Sequence, residues 1–161
     1  MIIRPIRIED AEDVHRMRVM PGVMENILGM ASERVSDAEA FIRGLSPNDH
    51  VLTAEVDGTV VGIVGLHVSA RARERHTAWI GMNVHASHQG KGIGKALMEA
   101  ILDIADNWLK LKRVELGVFT DNEPAIALYK KMGFTVEGTK KYSAARNGVH
   151  ADEYLMARYG E

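Results

Sequence analysis

The apolar residues of this chain change their spacing at a glycine cluster, and that switch restricts the fold more than any other feature. Ala78, Ile80, Met82 and Val84 alternate with Trp79, Gly81 and Asn83, the pattern of a strand, whereas Ile93, Leu97, Ala100, Ile101, Ile104 and Trp108 recur at helical spacing. Between them lies Gln89-Gly90-Lys91-Gly92-Ile93-Gly94-Lys95, a sharp turn that leads into the first turn of a helix. A helix N-terminus presents unpaired N–H groups and the positive end of the helix dipole, so it favours an anion. Glycine inside a helix costs about 1 kcal/mol relative to alanine, so three glycines in five residues are poorly explained by turning alone. Without side chains at Gly90, Gly92 and Gly94, successive amides can curl round phosphate oxygens, and Lys91 and Lys95 add positive charge.

Spacing separates the known phosphate loops. A Walker loop needs Gly, four residues and then Gly-Lys-Ser/Thr, but Gly94-Lys95 is followed by Ala96, and the position five before Gly94 is Gln89. A dinucleotide fingerprint needs Gly-x-Gly-x-x-Gly, and counting from Gly90 or Gly92 ends on Lys95 or Leu97. The remaining pattern, Gln89-x-x-Gly92-x-Gly94, resembles the acetyl-coenzyme A (acetyl-CoA) pyrophosphate loop of the GCN5-related N-acetyltransferase (GNAT) superfamily.

Length and composition set the limits. The 161 residues, 46% hydrophobic and 26% charged, suit a single domain over 1–161 with a substantial core. A net charge of -2 gives no reason to expect nucleic acid or an anionic membrane as partner. The absence of cysteine excludes disulfides, zinc thiolate sites and a cysteine nucleophile. Arg4, Arg7, Glu9 and Asp10 near the start speak against a secretory leader, and uncharged runs such as Gly58 to Ala70 are too short to span a bilayer. A cytoplasmic protein is expected.

Ile2, Ile3, Ile6 and Ile8 suggest an opening strand with Pro5 at an edge, and Glu9-Asp10 begin a helix with Ala11, Val14, Met17 and Arg18. Met20 to Arg34, interrupted by Pro21, Gly22 and Gly29, reads as a broken helix or mobile loop. Ser36-Asp37-Ala38-Glu39 has the capping-box pattern of a helix start, with Phe41, Ile42 and Leu45 as the apolar side. Asp57-Gly58 between Val51–Val56 and Thr59–Val68 predicts a hairpin. Val114, Leu116 and Val118 predict a further strand, and two more run from Phe134 to Tyr142 and from Val149 to Tyr159 around Asn147-Gly148. Asn122 caps a helix with Pro124 in its first turn and Gly133 as its stop.

That last helix carries the second informative block, Asn122-Glu123-Pro124-Ala125-Ile126-Ala127-Leu128-Tyr129-Lys130-Lys131-Met132-Gly133-Phe134. It closely resembles the other GNAT signature, and the two signatures stand in the superfamily's order. The segments Glu137 to Tyr142, Arg146-Asn147-Gly148 and Asp152 to Arg158 look like the bacterial subgroup that contains free L-amino-acid N-acetyltransferases. The resemblance implies an α+β fold. In it a central mixed, largely antiparallel sheet of six to seven strands carries about four helices on its two faces.

The resemblance also implies an acetyl-CoA-dependent enzyme without a metal. Met82, Val84, Gln89, Gly90, Gly92, Gly94, Lys95, Asn122 and Lys131 would bind the co-substrate, with a strand N–H near Val84 facing the oxyanion. Tyr129 would be the general acid toward the departing sulfur, its alternative being a core tyrosine between Ile126 and Met132. The acceptor would be a small amine, in first place a free L-amino acid. Glu25, Arg146 and the arginine turn Arg71, Arg73 and Arg75, chiefly Arg75, would face it. A protein N-terminus as acceptor and a non-turnover acyl-CoA sensor stay open, and the resemblance allows a homodimer. Many relatives carry a glutamate base on the central strand, but Ala78 to Val84 contains no carboxylate. His76, His85, Glu25 and Glu33 are substitutes, water is another, and the sequence assigns no base.

Overall fold

A computed structural model describes residues 1–161. Its strands are β1 (Ile2–Pro5), β2 (Asp49–Val56), β3 (Thr59–Val68), β4 (Thr77–Val84), β5 (Arg113–Phe119), β6 (Thr135–Arg146) and β7 (Val149–Tyr159). They form one seven-stranded sheet in the order β1-β2-β3-β4-β5-β7-β6. Every neighbouring pair is antiparallel except β4 and β5. Pro5 closes β1 at the sheet edge, where its missing N–H removes no ladder bond.

Four helices cover the sheet: α1 (Ala11–Arg18), α2 (Val35–Arg43), α3 (Ile93–Asp103) and α4 (Glu123–Lys131). Strand alternation divides the core between the two faces. On one, Val64, Leu66, Ala78, Ile80, Val114, Leu116 and Val118 pack with Leu97, Met98 and Ile101 of α3, Tyr129 of α4, and Phe134. On the other, Val51, Val60 and Ile63 pack with Ala11, Val14 and Met17 of α1 and Ala38 of α2. Asp57 and Gly58 both take positive φ, 51° and 79°, the geometry of the tight hairpin that their sequence predicts.

Three expectations are corrected. Ser36 does not cap α2: the carboxylate of Asp37 reaches back to the N–H of Arg34 (2.8 Å), so the helix opens at Val35. Trp108 leaves the buried stripe of α3 and is 78% exposed, because Ile104–Trp108 loosens into a π turn that rotates it outward. The first of the two late strands runs on to Arg146, so the β6–β7 hairpin extends to its Asn147-Gly148 turn. Met20 to Arg34 is irregular, with a single 3-10 turn at Met24–Asn26.

Candidate functional site

The parallel pair β4–β5 is short. Thr77, Ala78 and Trp79 are in register with Arg113, Val114 and Glu115, and beyond Trp79 the strands part. The β3–β4 ladder is bracketed by Ser69 N–H to the Thr77 carbonyl (3.0 Å) and His85 N–H to the Val61 carbonyl (2.8 Å). Backbone groups of an antiparallel strand alternate in direction, so those of Met82 and Val84 point away from β3, into the gap left by β5. A flexible ligand with amides of its own could pair there as a strand would.

At the end of this gap lies the glycine loop. Gly92 takes φ 84° at the N-cap of α3, and Gly90 takes 73°, both in the left-handed region. A Cβ at either position would meet nothing within 4 Å, so their backbone opens outward. The first helical bond runs from Ala96 N–H to the Gly92 carbonyl (3.0 Å), and no side chain caps the helix. The amides from Gln89 to Lys95 therefore converge without an internal acceptor, which fits a pyrophosphate.

Gly94 has a different use. A Cβ there would lie in ordinary contact with Leu128 (3.4 Å) and Met82 (3.5 Å), so position 94 faces the packing of α3 against α4 and β4 rather than the open cradle. Gln89 stays exposed and reaches back along the chain, its amide donating to the Val84 carbonyl (3.0 Å) and to the Gly22 carbonyl (3.3 Å). Lys91, Lys95 and Lys131 are exposed, with Lys95 only loosely near Glu99 (3.9 Å).

Asn122 caps α4 through its side-chain oxygen, which accepts from Ala125 N–H (3.4 Å). Two turns on, Tyr129 is 7% exposed and its ring packs against Phe134 at 6.0 Å between centroids. Its hydroxyl makes no hydrogen bond within the chain and is not sealed from solvent. Burial pushes it up to about 12, so it keeps its proton throughout the physiological range.

The opposite face of β4 floors a cavity of about 410 Å³, roofed by α1, α2 and the segment between them. Gly65 of β3 stands directly across from Gly81 of β4; the His67 ring covers the first and the floor is bare at the second, with Ile63 and Asn83 beside it. Phe41 of α2 lies edge-on to His67 at 6.5 Å. The Arg18 guanidinium grips Glu33 through two bonds (2.7 and 3.1 Å), and Glu33 also accepts from Met30 N–H (2.8 Å). Arg18 before all else holds the Glu33 carboxyl below its ordinary range. Arg34 has only a distant partner, Asp37 at 3.9 Å. The side-chain oxygen of Asn83 is buried without a partner.

The acceptor residues expected from sequence are not gathered here. Glu25 binds the N–H of Gly22 (2.9 Å) and Arg75 sits on the exposed β3–β4 connection; neither lines the cavity. Arg146 pairs with Asp121 and lies over the Phe119 ring at 4.7 Å, also outside the cavity. Among the candidate bases, Glu33 lines the cavity but is locked to Arg18, and His85 accepts from Ser87 N–H (3.1 Å). Sequence reading missed Arg18, Arg34, His67 and Asn83. The two glycines that clear the floor were visible, but only the register sets them face to face.

Known proteins place this geometry. The profile of the Acetyltransferase (GNAT) family matches residues 20–134. The chain is 38% identical to the L-amino acid N-acetyltransferase AaaT of Escherichia coli (strain K12), over 98% of this chain and 97% of that protein. It is 37% identical to the N-alpha-acetyltransferase RimI of Mycobacterium tuberculosis (strain ATCC 25618 / H37Rv), over 74% and 72%. A spermidine N-acetyltransferase from Vibrio cholerae, solved in complex with CoA and spermine, superposes with a TM-score of 0.85 at 22% identity, covering 98% of this chain and 94% of that one. With a parted β4–β5 pair, an unpaired amide cradle at the start of α3 and a profile that covers both, this chain belongs to the acetyltransferase (GNAT) family.

Proposed function

We propose that the chain transfers the acetyl group of acetyl-CoA to the α-amino group of a free L-amino acid by direct attack in a ternary complex. The observation that carries the acceptor half is the buried, unpartnered oxygen of Asn83 on the cavity floor, since an orphaned acceptor costs about 1–3 kcal/mol and an amine supplies the missing donor. The cavity volume, about 410 Å³, lies in the range of small-molecule sites. With Arg18 closed by Glu33, Arg34 is the cavity's less committed guanidinium, and we assign it the α-carboxylate in place of Arg75 and Arg146. The near-full-length likeness to an L-amino acid N-acetyltransferase supports the same reading.

On the donor side, acetyl-CoA supplies an acyl group activated as a thioester. The amides of Gly90 to Lys95 would hold its pyrophosphate, with Lys91, Lys95 and Lys131 adding charge, and the backbone of Met82 with the N–H of Val84 would align its amide-bearing arm. The N–H of Val84 is the candidate donor to the oxyanion. Tyr129 acts as a hydrogen-bond donor to the leaving sulfur. With its own value near 12 and a thiol near 8.5, it stabilises the thiolate more readily than it protonates it. We further propose a cytoplasmic location, on the ground that the reaction draws on a cellular supply of acetyl-CoA.

Thiol release from acetyl-CoA, followed with free amino acids, amino-acid amides and short peptides, tests the reading. Free amino acids should turn over, and blocking the carboxylate should cost at least tenfold in kcat/KM, as expected for the loss of about 1.4 kcal/mol of pairing. Peptides acetylated as well as free amino acids would overturn carboxylate recognition and favour N-terminal acetylation of proteins.

A further inference from the structure

The central strand offers no carboxylate base, Glu33 is locked to Arg18, and Glu25, His76 and His85 do not line the cavity, so the proton that an ammonium acceptor must lose has no assigned destination. We propose that His67, oriented by Asp49, is the general base of the proposed acetyl transfer. The inference rests on the amine-acceptor reading above and adds the residue that activates the amine.

The pair is built into the β2–β3 ladder. Asp49 and His67 are direct cross-strand partners, and the Nδ1 of His67 lies 2.7 Å from a carboxylate oxygen of Asp49. The other oxygen of Asp49 accepts from the N–H (2.8 Å) and the hydroxyl (3.0 Å) of Ser46, so the carboxylate cannot swing away. A carboxylate acceptor at Nδ1 places the ring proton there and leaves a lone pair on Nε2, the tautomer a base requires.

Nε2 points into the cavity. It lies 2.7 Å from where a Cβ of residue 65 would be, so the ring folds over the bare floor only because position 65 is glycine. Gly81 is the cross-strand partner of Gly65, and Nε2 has no hydrogen-bond partner within the chain. Asn83, one step further along the same face of β4, lines the same cavity. An ammonium over Gly81, where the floor is open, would thus meet a base from β3 on one side and an amide oxygen from β4 on the other. The His67 side chain is 32% exposed, which gives its acquired proton a way out to water. The other charged or titratable groups facing the cavity are His15 and Arg18 from α1, Glu33 and Arg34 from the connecting segment, and Asp37 from α2. Arg18 and Glu33 pair with each other, and Asp49 is the carboxylate in contact with His67.

The bookkeeping of atoms closes. One ammonium N–H breaks and its proton goes to Nε2 and on to solvent; the nitrogen lone pair forms the C–N bond, and the C–S bond breaks with its electron pair on sulfur. The second proton lost by nitrogen neutralises the thiolate.

The test is the pH profile of kcat/KM from pH 6 to 10 for the full chain, His67→Gln and Asp49→Asn, with the best amine acceptor of the parent. At pH 7 His67→Gln should lose on the order of 10²-fold with unchanged acetyl-CoA affinity. That deficit should close to within a few-fold as the pH approaches 10, where the amine sheds its own proton. Asp49→Asn should fall between, and added imidazole should restore part of the rate of His67→Ala. A deficit that is constant with pH, lacks imidazole rescue, or stays within a few-fold of the parent at pH 7 would overturn the proposal. Measuring each variant's melting temperature separates misfolding from lost catalysis. A parent that prefers peptide amines would overturn the amino-acid reading alone, because the His67 comparison is made on whichever amine it accepts.

Discussion

The two faces of the sheet are built to different rules. The α3–α4 face is sealed by aliphatic and aromatic side chains, among them Phe134, Leu97, Met98 and Ile101 with at most 1% exposure. The α1–α2 face carries the buried polar groups of the molecule, Asp10 and Thr53, together with the cavity and the Arg18–Glu33 pair that lines it. Arg4 clamps Asp10 through two bonds (2.9 and 2.8 Å), and Asp10 in turn caps Arg7 N–H (2.8 Å). One face can therefore carry most of the folding free energy, which frees the other to keep an opening and an unsatisfied amide. β4 belongs to both, with Ala78 and Ile80 in the core and Gly81 and Asn83 toward the cavity.

The comparison can be broken from either side. The largest effect expected is from Phe134→Ala, which should cost about 3–5 kcal/mol in denaturant unfolding while the surviving folded fraction keeps its acceptor KM. Gly92→Asp should come next: it forces a side chain into left-handed backbone and sets a carboxylate against the phosphates, a loss of about 3 kcal/mol or on the order of 10²-fold in acetyl-CoA affinity by calorimetry. Unchanged affinity would remove the anion-cradle reading.

Tyr129→Phe should lower kcat on the order of 10²-fold with little change in acetyl-CoA affinity, and a kcat within a few-fold of the parent would return Tyr129 to a purely packing role. Acid should then distinguish the faces. Hydrogen bonds from Arg4 and Arg7, with charge, hold Asp10 below its ordinary value against the opposing effect of burial; Arg18 does so for Glu33, and the Ser46 amide for Asp49. A depressed carboxylate stabilises fully above its unfolded value, near 4, and that stability is lost as pH falls through the lower folded value. Arg158 holds Asp106 low in the same way in the π turn that ends α3, so hydrogen exchange should show α1, its connection to α2 and that turn loosening below about pH 4 before the apolar body of α3 does; simultaneous loss would erase the distinction. The smallest effect on stability belongs to Gly81→Ala. Its Cβ would meet nothing within 4 Å and its φ is not positive, so the fold should hold or gain about 0.4–1 kcal/mol, while KM for bulky acceptors rises a few-fold.

What could be read from the chain follows from how local each signal is. The strand-to-helix switch at Gln89 to Lys95 and the turns at Asp57-Gly58 and Asn147-Gly148 depend on residues within a few positions of each other, and the structure has them all. The proposed donor cleft was legible for that reason. The cavity proposed for the acceptor was not, because its floor is made by register: Gly65 against Gly81 and Asp49 against His67 are pairings across strands. Arginines at turns drew attention to Arg75 and Arg146 because turns are exposed. The cavity instead takes Arg18 from a helix and Arg34 from the end of a long connection.

Gln89 gives this arrangement a thermodynamic consequence. Its single amide holds the end of β4 at Val84 and the start of the α1–α2 connection at Gly22, so the anion cradle and the cavity roof share a strut. Linkage is reciprocal: if occupation of the cradle stiffens that connection and thereby tightens acceptor binding by some factor, the acceptor must tighten donor binding by the same factor. Cutting the strut with Gln89→Ala would then leave two sites that still bind but no longer cooperate.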